Sequence, residues 1–307
     1  MICLNKLLVV TPSHSIQKQA ITRAVRLAQA EQAQLTLFSV AEEIPKEQLA
    51  WITVVPPQEL LNTLVNEQLA ELNEFAEQNK DLYPNIDTAA LIGTPFIEAI
   101  KKVKNDHYDL VVLASRSTER RSKRFFGSTT IRLMRKCPCP VWAVGEHESI
   151  KRIVAAVELY APTEQGLRLN ESILQWALWL AKQEQAELHI VYAWQRPGDG
   201  LLKSHTSESD HRELATRAQR DRQARLDKLI EGSPSDSPPL THLIEGRPQE
   251  VIPNYVEDHH IDLIVMGTVC RTGIKGFFIG NTAESILGEV GCSVLSLKPE
   301  GFISPVD

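Results

Sequence analysis

A segment near residue 270 contains several glycines, a composition typical of phosphate-binding loops. It follows an apolar run and leads into a helical pattern. Its glycines allow backbone N–H groups to approach a phosphate closely, and the start of a helix favours anions. We predict that this segment binds the phosphates of a ligand through Gly267, Thr268, Cys270, Gly273, Gly280, Asn281 and Thr282.

A carboxylate follows another apolar run of the same half of the chain. Glu158 comes directly after residues 153–157, which have the pattern of a buried strand. In doubly wound sheets, ligands bind outside the carboxyl ends of the strands, near the point where the strand order reverses. We therefore expect Glu158 to lie at the same edge of the sheet as this segment.

The chain contains two copies of one pattern, and each copy is long enough to form a domain. Gly246 follows Gly93 by 153 positions, and Asp262 and Gly280 follow Asp109 and Gly127 by the same distance. A repeat of this length indicates two domains with a shared fold, because the units of a solenoid are much shorter. We predict domains at 1–148 and 149–307.

Strands alternate with helices in both halves. In the first half, the apolar patterns predict strands at 7–10, 35–40, 88–92, 110–114 and 141–144, with helices at 16–30, 60–75, 95–104 and 129–135. In the second half, they predict strands at 153–157, 188–193, 240–244, 263–267 and 294–297, with helices at 173–181, 211–230, 248–257 and 282–287. This alternation predicts an α/β fold with two tandem doubly wound, mostly parallel five-stranded sheets.

Composition narrows the class of protein. The 307 residues include 33 Lys and Arg against 39 Asp and Glu, and the net charge of −6 argues against a binder of nucleic acid or anionic membranes. No apolar run approaches the ~18 residues of a membrane span, and residues 1–10 lack the features of a signal peptide. Five cysteines without a framework favour reduced thiols, and we expect a cytoplasmic protein.

The loop and its flanking strands resemble the universal stress protein family, especially its tandem, E-type members. Nucleotide-binding members carry Gly, two residues, Gly, nine residues, then Gly and Ser or Thr. This chain has Gly267, Cys270, Gly280 and Asn281 at those positions, with Thr282 one residue further on. The resemblance covers nearly the whole chain as two consecutive domains, and it implies the adenine-nucleotide alpha-hydrolase-like fold.

The resemblance also implies an acidic residue just after the first strand, a position that Glu158 fills in the second half. The first half has departed further from the family pattern, because it has lost the charge at this position and two of the loop glycines. Its corresponding residues are Thr11, Ala114, Ser117, Gly127, Ser128 and Thr129. The second domain is therefore the better nucleotide candidate.

The function that the resemblance implies is that of a cytoplasmic stress-response protein. Its second domain would bind ATP or a related adenine nucleotide, with Mg²⁺, and occupancy would bias which protein partner it meets. Two alternatives stay open: a slow Mg-dependent nucleotide hydrolase at the same site, and a scaffold or carrier of another ligand. The homologous halves are expected to pack as a pseudo-dimer within one chain, and a homodimer remains open.

The remaining cysteines and histidines are interpreted as structural, and we predict no catalytic residue and no metal site. Cys137 and Cys139 are one residue apart rather than two, which favours small buried side chains over a redox motif. Cys270 carries a redox hypothesis, because a helix N-terminus lowers a thiol pKa. No second ligand pair at structural zinc spacing accompanies the remaining candidates, which are His205, Asp210, His211, His259 and His260.

Two charge runs are interpreted as solvated surface. One is the helical pattern at 211–230, which is rich in Arg, Asp and Glu. The other is a basic loop in the first half, for which a docking site for an anionic ligand or an acidic partner is the alternative. Its residues are Arg116, Arg120, Arg121, Lys123 and Arg124.

Overall fold

The computed structural model describes residues 2–11, 18–43, 56–115, 125–196, 208–231, 238–268 and 280–306. The chain divides into two compact units. The first unit consists mainly of Cys3–Glu148, and the second consists mainly of the chain that follows. The C-terminal segment Phe302–Asp307 belongs to the first unit, where the Lys104 Nζ donates a hydrogen bond of 2.7 Å to the backbone oxygen of Val306.

Five parallel strands form the sheet of the first unit, in the order β3-β2-β1-β4-β5. The strands are β1 (Lys6–Thr11), β2 (Gln34–Ala41), β3 (Ile86–Ile92), β4 (Leu110–Ala114) and β5 (Val141–Val144). The described helices are α1 (Lys18–Glu31), α2 (Pro57–Gln78), α3 (Pro95–Asp106) and α4 (Ser128–Lys136).

The second unit has the same topology, with the strand order β8-β7-β6-β9-β10. Its strands are β6 (Arg152–Ala156), β7 (Glu187–Trp194), β8 (Leu240–Glu245), β9 (Leu263–Gly267) and β10 (Ser293–Leu297). Its described helices are α5 (Glu164–Glu184), α6 (Glu208–Glu231), α7 (Pro248–Asp258) and α8 (Asn281–Glu289). The predicted α/β fold with two tandem doubly wound, five-stranded sheets is confirmed.

The central strands are buried on both faces, which explains their nearly continuous apolar sequences. Leu7, Leu8 and Val9 of β1 have no exposed surface, and the same holds for residues 110–112 of β4. Helix α1 covers the sheet with a stripe of apolar side chains at helical spacing. That stripe consists of Ala20, Ile21, Ala24, Val25, Leu27 and Ala28.

A repeated aspartate fastens the start of the first strand in each unit. The Asp109 Oδ2 accepts hydrogen bonds from the backbone N–H groups of Asn5 and Lys6, at 2.7 and 2.9 Å. The Asp262 Oδ2 accepts the equivalent bonds from Lys151 and Arg152, also at 2.7 and 2.9 Å. These aspartates therefore act at the amino edge of each sheet, opposite the edge where doubly wound folds bind ligands.

A repeated glycine turns the chain between the third strand of each unit and the following helix. Gly93 and Gly246 adopt positive φ angles of 156° and 145°, which a side chain would strain. Their N–H groups donate to the backbone oxygens of Ala41 and Trp194, at 2.9 and 2.8 Å. The two glycines, which lie 153 residues apart, therefore form the same turn in each unit.

The structure corrects the start of helix α5. The apolar pattern predicts a helix at 173–181, but the helix begins at Glu164. The Thr163 hydroxyl caps it by accepting a hydrogen bond of 3.1 Å from the N–H of Gly166, and its first turns are polar. Of the helices in the described part of the chain, none is both long and apolar enough to cross a membrane.

Candidate functional site

The strand order of the second unit reverses between β6 and β9, which makes their carboxyl ends the expected ligand edge. Ala156 of β6 lies opposite Met266 of β9, so the next residues of both chains leave the sheet side by side. Adjacent strands are about 4.8 Å apart. The topology therefore brings Glu158 and Thr268 to neighbouring positions on the edge that the sequence predicts.

The backbone of Glu158 is held by a buried amide of helix α5. The Asn170 Oδ1 accepts the N–H of Glu158 at 2.8 Å, and the Asn170 Nδ2 donates to its carbonyl oxygen at 2.8 Å. Asn170 is only 4% exposed. Since the Glu158 Oε1 also accepts the N–H of Tyr160 at 3.2 Å, both the backbone and the carboxylate of Glu158 are oriented.

The two ends of the glycine-containing segment meet beside β9. The Thr268 N–H donates to the carbonyl oxygen of Leu297 at 3.2 Å, which continues the pairing of β9 with β10. The Thr268 carbonyl oxygen accepts the N–H of Gly280 at 3.3 Å. Cys270 and Gly273 lie outside the described residues, between two anchor points that are joined by one hydrogen bond.

A lysine that the sequence analysis missed lies at the base of this segment. The Lys298 ammonium donates a hydrogen bond to the hydroxyl of Thr268, which has no exposed surface. Lys298 follows directly after β10 and is half-buried. The residue places a positive charge at the point where the predicted phosphate loop begins.

Helix α8 begins where the segment returns to the sheet. Gly280 is its N-cap residue and makes no side-chain capping bond, while Asn281 and Thr282 are exposed at its first two positions. The first N–H groups of a helix have no partner within the helix, and they carry its positive partial charge. Gly280, Asn281 and Thr282 therefore lie at an exposed helix start beside Thr268.

Gly267 has a packing role at the end of β9. A Cβ atom at this position would lie 2.7 Å from the Leu169 Cδ2 and 3.7 Å from the Ile173 Cδ1. Both residues belong to helix α5, so the missing side chain allows this helix to approach the sheet closely. The absence of a side chain at Gly267 is therefore explained by helix packing.

An aromatic–arginine group, made of Tyr160, Trp194, Arg222 and Arg225, lies next to Glu158 on the β7 side. The Arg222 Cζ is 5.0 Å from the ring centroid of Tyr160 and 4.8 Å from that of Trp194. The Arg225 Cζ is 4.4 Å from the Tyr160 centroid, and the Tyr160 hydroxyl donates to Asp221. The solvated-face interpretation of 211–230 is wrong for Arg222, because stacking between two rings half-buries it.

At the positions of the first unit that the structure describes, the residues equivalent to Glu158 and Lys298 are uncharged. Thr11 is 5% exposed, and its hydroxyl donates to the carbonyl oxygen of Phe38 at 3.3 Å. This hydrogen bond joins strand β1 to strand β2. Gly145 occupies the position of Lys298, and half-buried Ala114 that of Gly267.

The first-unit loop ends at helix α4, as the second-unit loop ends at α8. Gly127 is the N-cap residue of α4, followed by exposed Ser128 and half-buried Thr129. Ser117 and the five basic residues at 116–124 lie outside the described residues. The helix start is therefore shared by the two units.

Cys139 and Cys292 have structural environments, whereas Cys3 is exposed. Burial raises the pKa of Cys292 to about 12. A hydrogen bond with Cys137, whose Sγ lies 3.5 Å away, and burial raise the pKa of Cys139. Such thiols stay protonated at neutral pH and are poor nucleophiles.

The described ranges hold no group of three His, Cys, Asp or Glu residues arranged to ligate a metal ion. Of the histidines considered for zinc, His205 lies outside these ranges. His259 stacks on the ring of Tyr255, with centroids 3.9 Å apart, and His260 adopts a positive φ of 49° at the turn that follows.

The fold and the site define a tandem α/β protein with two doubly wound sheets, of which the second carries a charged ligand edge. The model of the universal stress protein family matches residues 4–145 and again residues 150–298. The chain therefore belongs to the universal stress protein family and contains two of its domains.

Similarity to individual relatives extends over almost the whole chain. It is 28% identical to universal stress protein E of Salmonella typhi and of Escherichia coli K12, over 99% of this chain and 96% of theirs. Among solved structures, one from Pseudomonas aeruginosa UCBPP-PA14 has a TM-score of 0.71 at 24% identity, covering 97% of this chain and 95% of its own. A universal stress protein from Archaeoglobus fulgidus has a TM-score of 0.63 at 17% identity, covering 96% and 98%.

Proposed function

We propose that this chain is a cytoplasmic stress-response protein whose second domain binds ATP, or a related adenine nucleotide, as a regulatory ligand. The domains span residues 1–148 and 149–307, and the first is a degenerate copy. The observation that carries the proposal is the convergence of Glu158, the loop anchored by Thr268 and Gly280, and Lys298 at the switch point of the second sheet.

The charges along this edge suit the parts of a nucleotide. The carboxylate of Glu158 is suited to sugar hydroxyls or to Mg²⁺, which prefers oxygen ligands. The anchored loop, the start of α8 and the Lys298 ammonium supply N–H donors and positive charge for phosphates. Mg²⁺, when bound with the nucleotide, would neutralise part of the phosphate charge.

Binding is tested by isothermal titration calorimetry and native mass spectrometry of the full chain with ATP, with and without Mg²⁺. We expect one nucleotide per chain and a clear loss of affinity in Glu158→Gln. Glu164→Gln is the matched control, because Glu164 is exposed and pairs with Arg168 on the helix surface at 2.7 Å. No binding at millimolar ATP would contradict the proposal, and two nucleotides per chain would show that the first domain also binds.

Phosphate release in the same samples separates a regulatory ligand from a substrate. We expect no turnover above the rate of a blank. Turnover that disappears in Glu158→Gln while binding persists would instead show the slow Mg-dependent hydrolase.

A further inference from the structure

Three histidines of the second unit lie together between the sheet and helix α7. His189 on β7 and His242 on β8 share one face of the sheet, and His259 follows α7 directly. The ring centroids of His189 and His242 are 5.5 Å apart, and those of His259 lie 6.1 and 6.3 Å from them. We call these three residues the histidine cluster.

His189 is satisfied in its neutral form. Its Nε2 lies 2.8 Å from the Glu187 Oε1, and since a carboxylate only accepts, this nitrogen carries the proton. Its Nδ1 lies 2.7 Å from the hydroxyl of Tyr255 on α7. Burial, followed by the nearby charge of Glu187, raises the pKa of Tyr255 to about 12, so this hydroxyl remains protonated and donates.

His242 has no such support. Its Nε2 is buried and has no hydrogen-bond partner within the described residues. The groups that face it are the imidazole of His189 from β7, and the ring of Tyr255 and the imidazole of His259 from the α7 side. Burial, and then the charges that His189 and His259 can carry, lower its pKa.

The first unit provides a comparison without histidines. At the same positions, it has Thr36, Ala89 and Asp106, and Asp106 pairs with Lys102 of α3 at 3.0 Å. The repeat therefore conserves the strands and the helix but not the imidazoles. Within the described ranges, these three imidazoles are not arranged to ligate a metal ion. The ligand that an imidazole binds near neutral pH is then a proton.

We infer that the histidine cluster is a proton-binding site that loosens the α7 face of the second unit as the pH falls below neutrality. In an opened or unfolded chain, a histidine has a pKa of about 6.5. The pKa of His242 in the folded unit is lower, so the opened form binds a proton first. The stabilisation from neutral His242 is thus complete above pH ~6.5 and is lost as the pH falls from there towards the folded-state pKa.

The test is hydrogen exchange with mass spectrometry on the full chain at pH 7.5 and 5.5, corrected for intrinsic exchange rates. We expect peptides from β7, β8 and α7 to lose protection at pH 5.5, relative to the equivalent peptides from β2, β3 and α3. His242→Gln and His242→Ala, the latter copying Ala89 of the first unit, should abolish this difference. His260→Asn is the control and should retain it, because His260 is exposed and lies outside the cluster.

An equal loss of protection in both units would overturn the inference, as would an unchanged difference in both His242 variants. The ring titration of the native chain by NMR is an independent measurement that needs no variant. We expect the His242 midpoint below the ordinary histidine value of about 6.5, and a midpoint at or above that value would overturn the inference.

Discussion

At the scale of single residues, the candidate site depends on side chains that hold the backbone in place. Asn170 is the clearest example, because its amide pairs with both the N–H and the carbonyl oxygen of Glu158. The same backbone segment carries the carboxylate that we assign to the nucleotide. Orientation of Glu158 is thus a property of helix α5 as much as of strand β6.

Replacement of Asn170 should destabilise the second unit. Asn170→Leu keeps a similar volume but leaves the N–H and carbonyl groups of Glu158 without their partner, which costs about 2–4 kcal/mol of the free energy of unfolding. Urea denaturation followed by tryptophan fluorescence measures this, since Trp176, Trp179 and Trp194 belong to the second unit.

A suitable control for this loss is Ser172→Ala on the same helix. Ser172 is half-buried, and its hydroxyl donates to the carbonyl oxygen of Arg168 on the same helix, so its loss leaves no group of Glu158 unpaired and we expect a change of about 0.5 kcal/mol. A loss for Asn170→Leu as small as that for Ser172→Ala would show that the amide does not hold Glu158.

Lys298 should distinguish charged from uncharged ligands. Lys298→Met removes a charge-assisted donor worth about 1.5–3 kcal/mol, so we expect ATP affinity to fall at least about tenfold while adenosine affinity is unchanged. Lys80→Met is the control for the loss of one positive charge, because Lys80 is an exposed residue of the first unit. Equal losses for ATP and adenosine would place Lys298 away from the phosphates.

Only part of the site is predictable from residue types. Glu158 and Gly280 are accessible to prediction, because a strand end and a helix start mark them locally. Asn170 appears in the sequence only as a polar residue in an apolar helix face, and its partner is 12 positions away. In the sequence, Lys298 resembles an ordinary surface lysine. Its partner Thr268 is 30 positions away, and only the folded sheet places the two residues in contact.

At the scale of elements, the central strands are predictable because burial on both faces requires nearly continuous apolar sequences. The ends of helices are less predictable, because their first turns face solvent and their start is determined by the N-cap residue. Helix α5 shows this, because its N-cap residue Thr163 lies ten positions before the predicted helix start at 173. In the charged helix α6, the buried position is the one that is hard to predict. Leu226 is buried, although most residues of this helix are exposed.

The packing of α5 against β9 can be tested at Gly267. Gly267→Ala places a Cβ within contact distance of Leu169, and we expect a loss of about 1–3 kcal/mol from overpacking. Leu169→Val on the same background should restore part of this loss. Gly288→Ala is the control, because nothing lies within 4 Å of its Cβ position and alanine favours a helix.

Variants at Gly267 also distinguish a role in helix packing from a role in ligand binding. If close approach of a phosphate is its main role, Gly267→Ala would weaken ATP binding without destabilising the fold, and Leu169→Val would not compensate. Both stability and binding are measured on the same samples, by urea denaturation and by calorimetry.

At the scale of the whole molecule, one topology has been kept twice while its chemistry has diverged. The repeated aspartates and glycines act in strand starts and turns, which both units need in order to fold. The charged edge, the aromatic–arginine group and the histidine cluster occur in the second unit, where the equivalent positions of the first hold other residues. Conserved architecture is therefore compatible with a division of labour between the domains.

The repeated aspartates allow this view to be tested in both units with one substitution. Asp109→Ala and Asp262→Ala each leave two backbone N–H groups at a strand start without a charged acceptor, and hydrogen bonds to a charged group contribute about 1.5–3 kcal/mol each. We expect each variant to lose hydrogen-exchange protection in its own unit, with the other unit as an internal control. Because Asp262 lies at the amino edge, Asp262→Ala should retain ATP binding at temperatures where the unit is folded. Loss of binding by the folded variant would mean that this strand start and the nucleotide edge are coupled across the sheet.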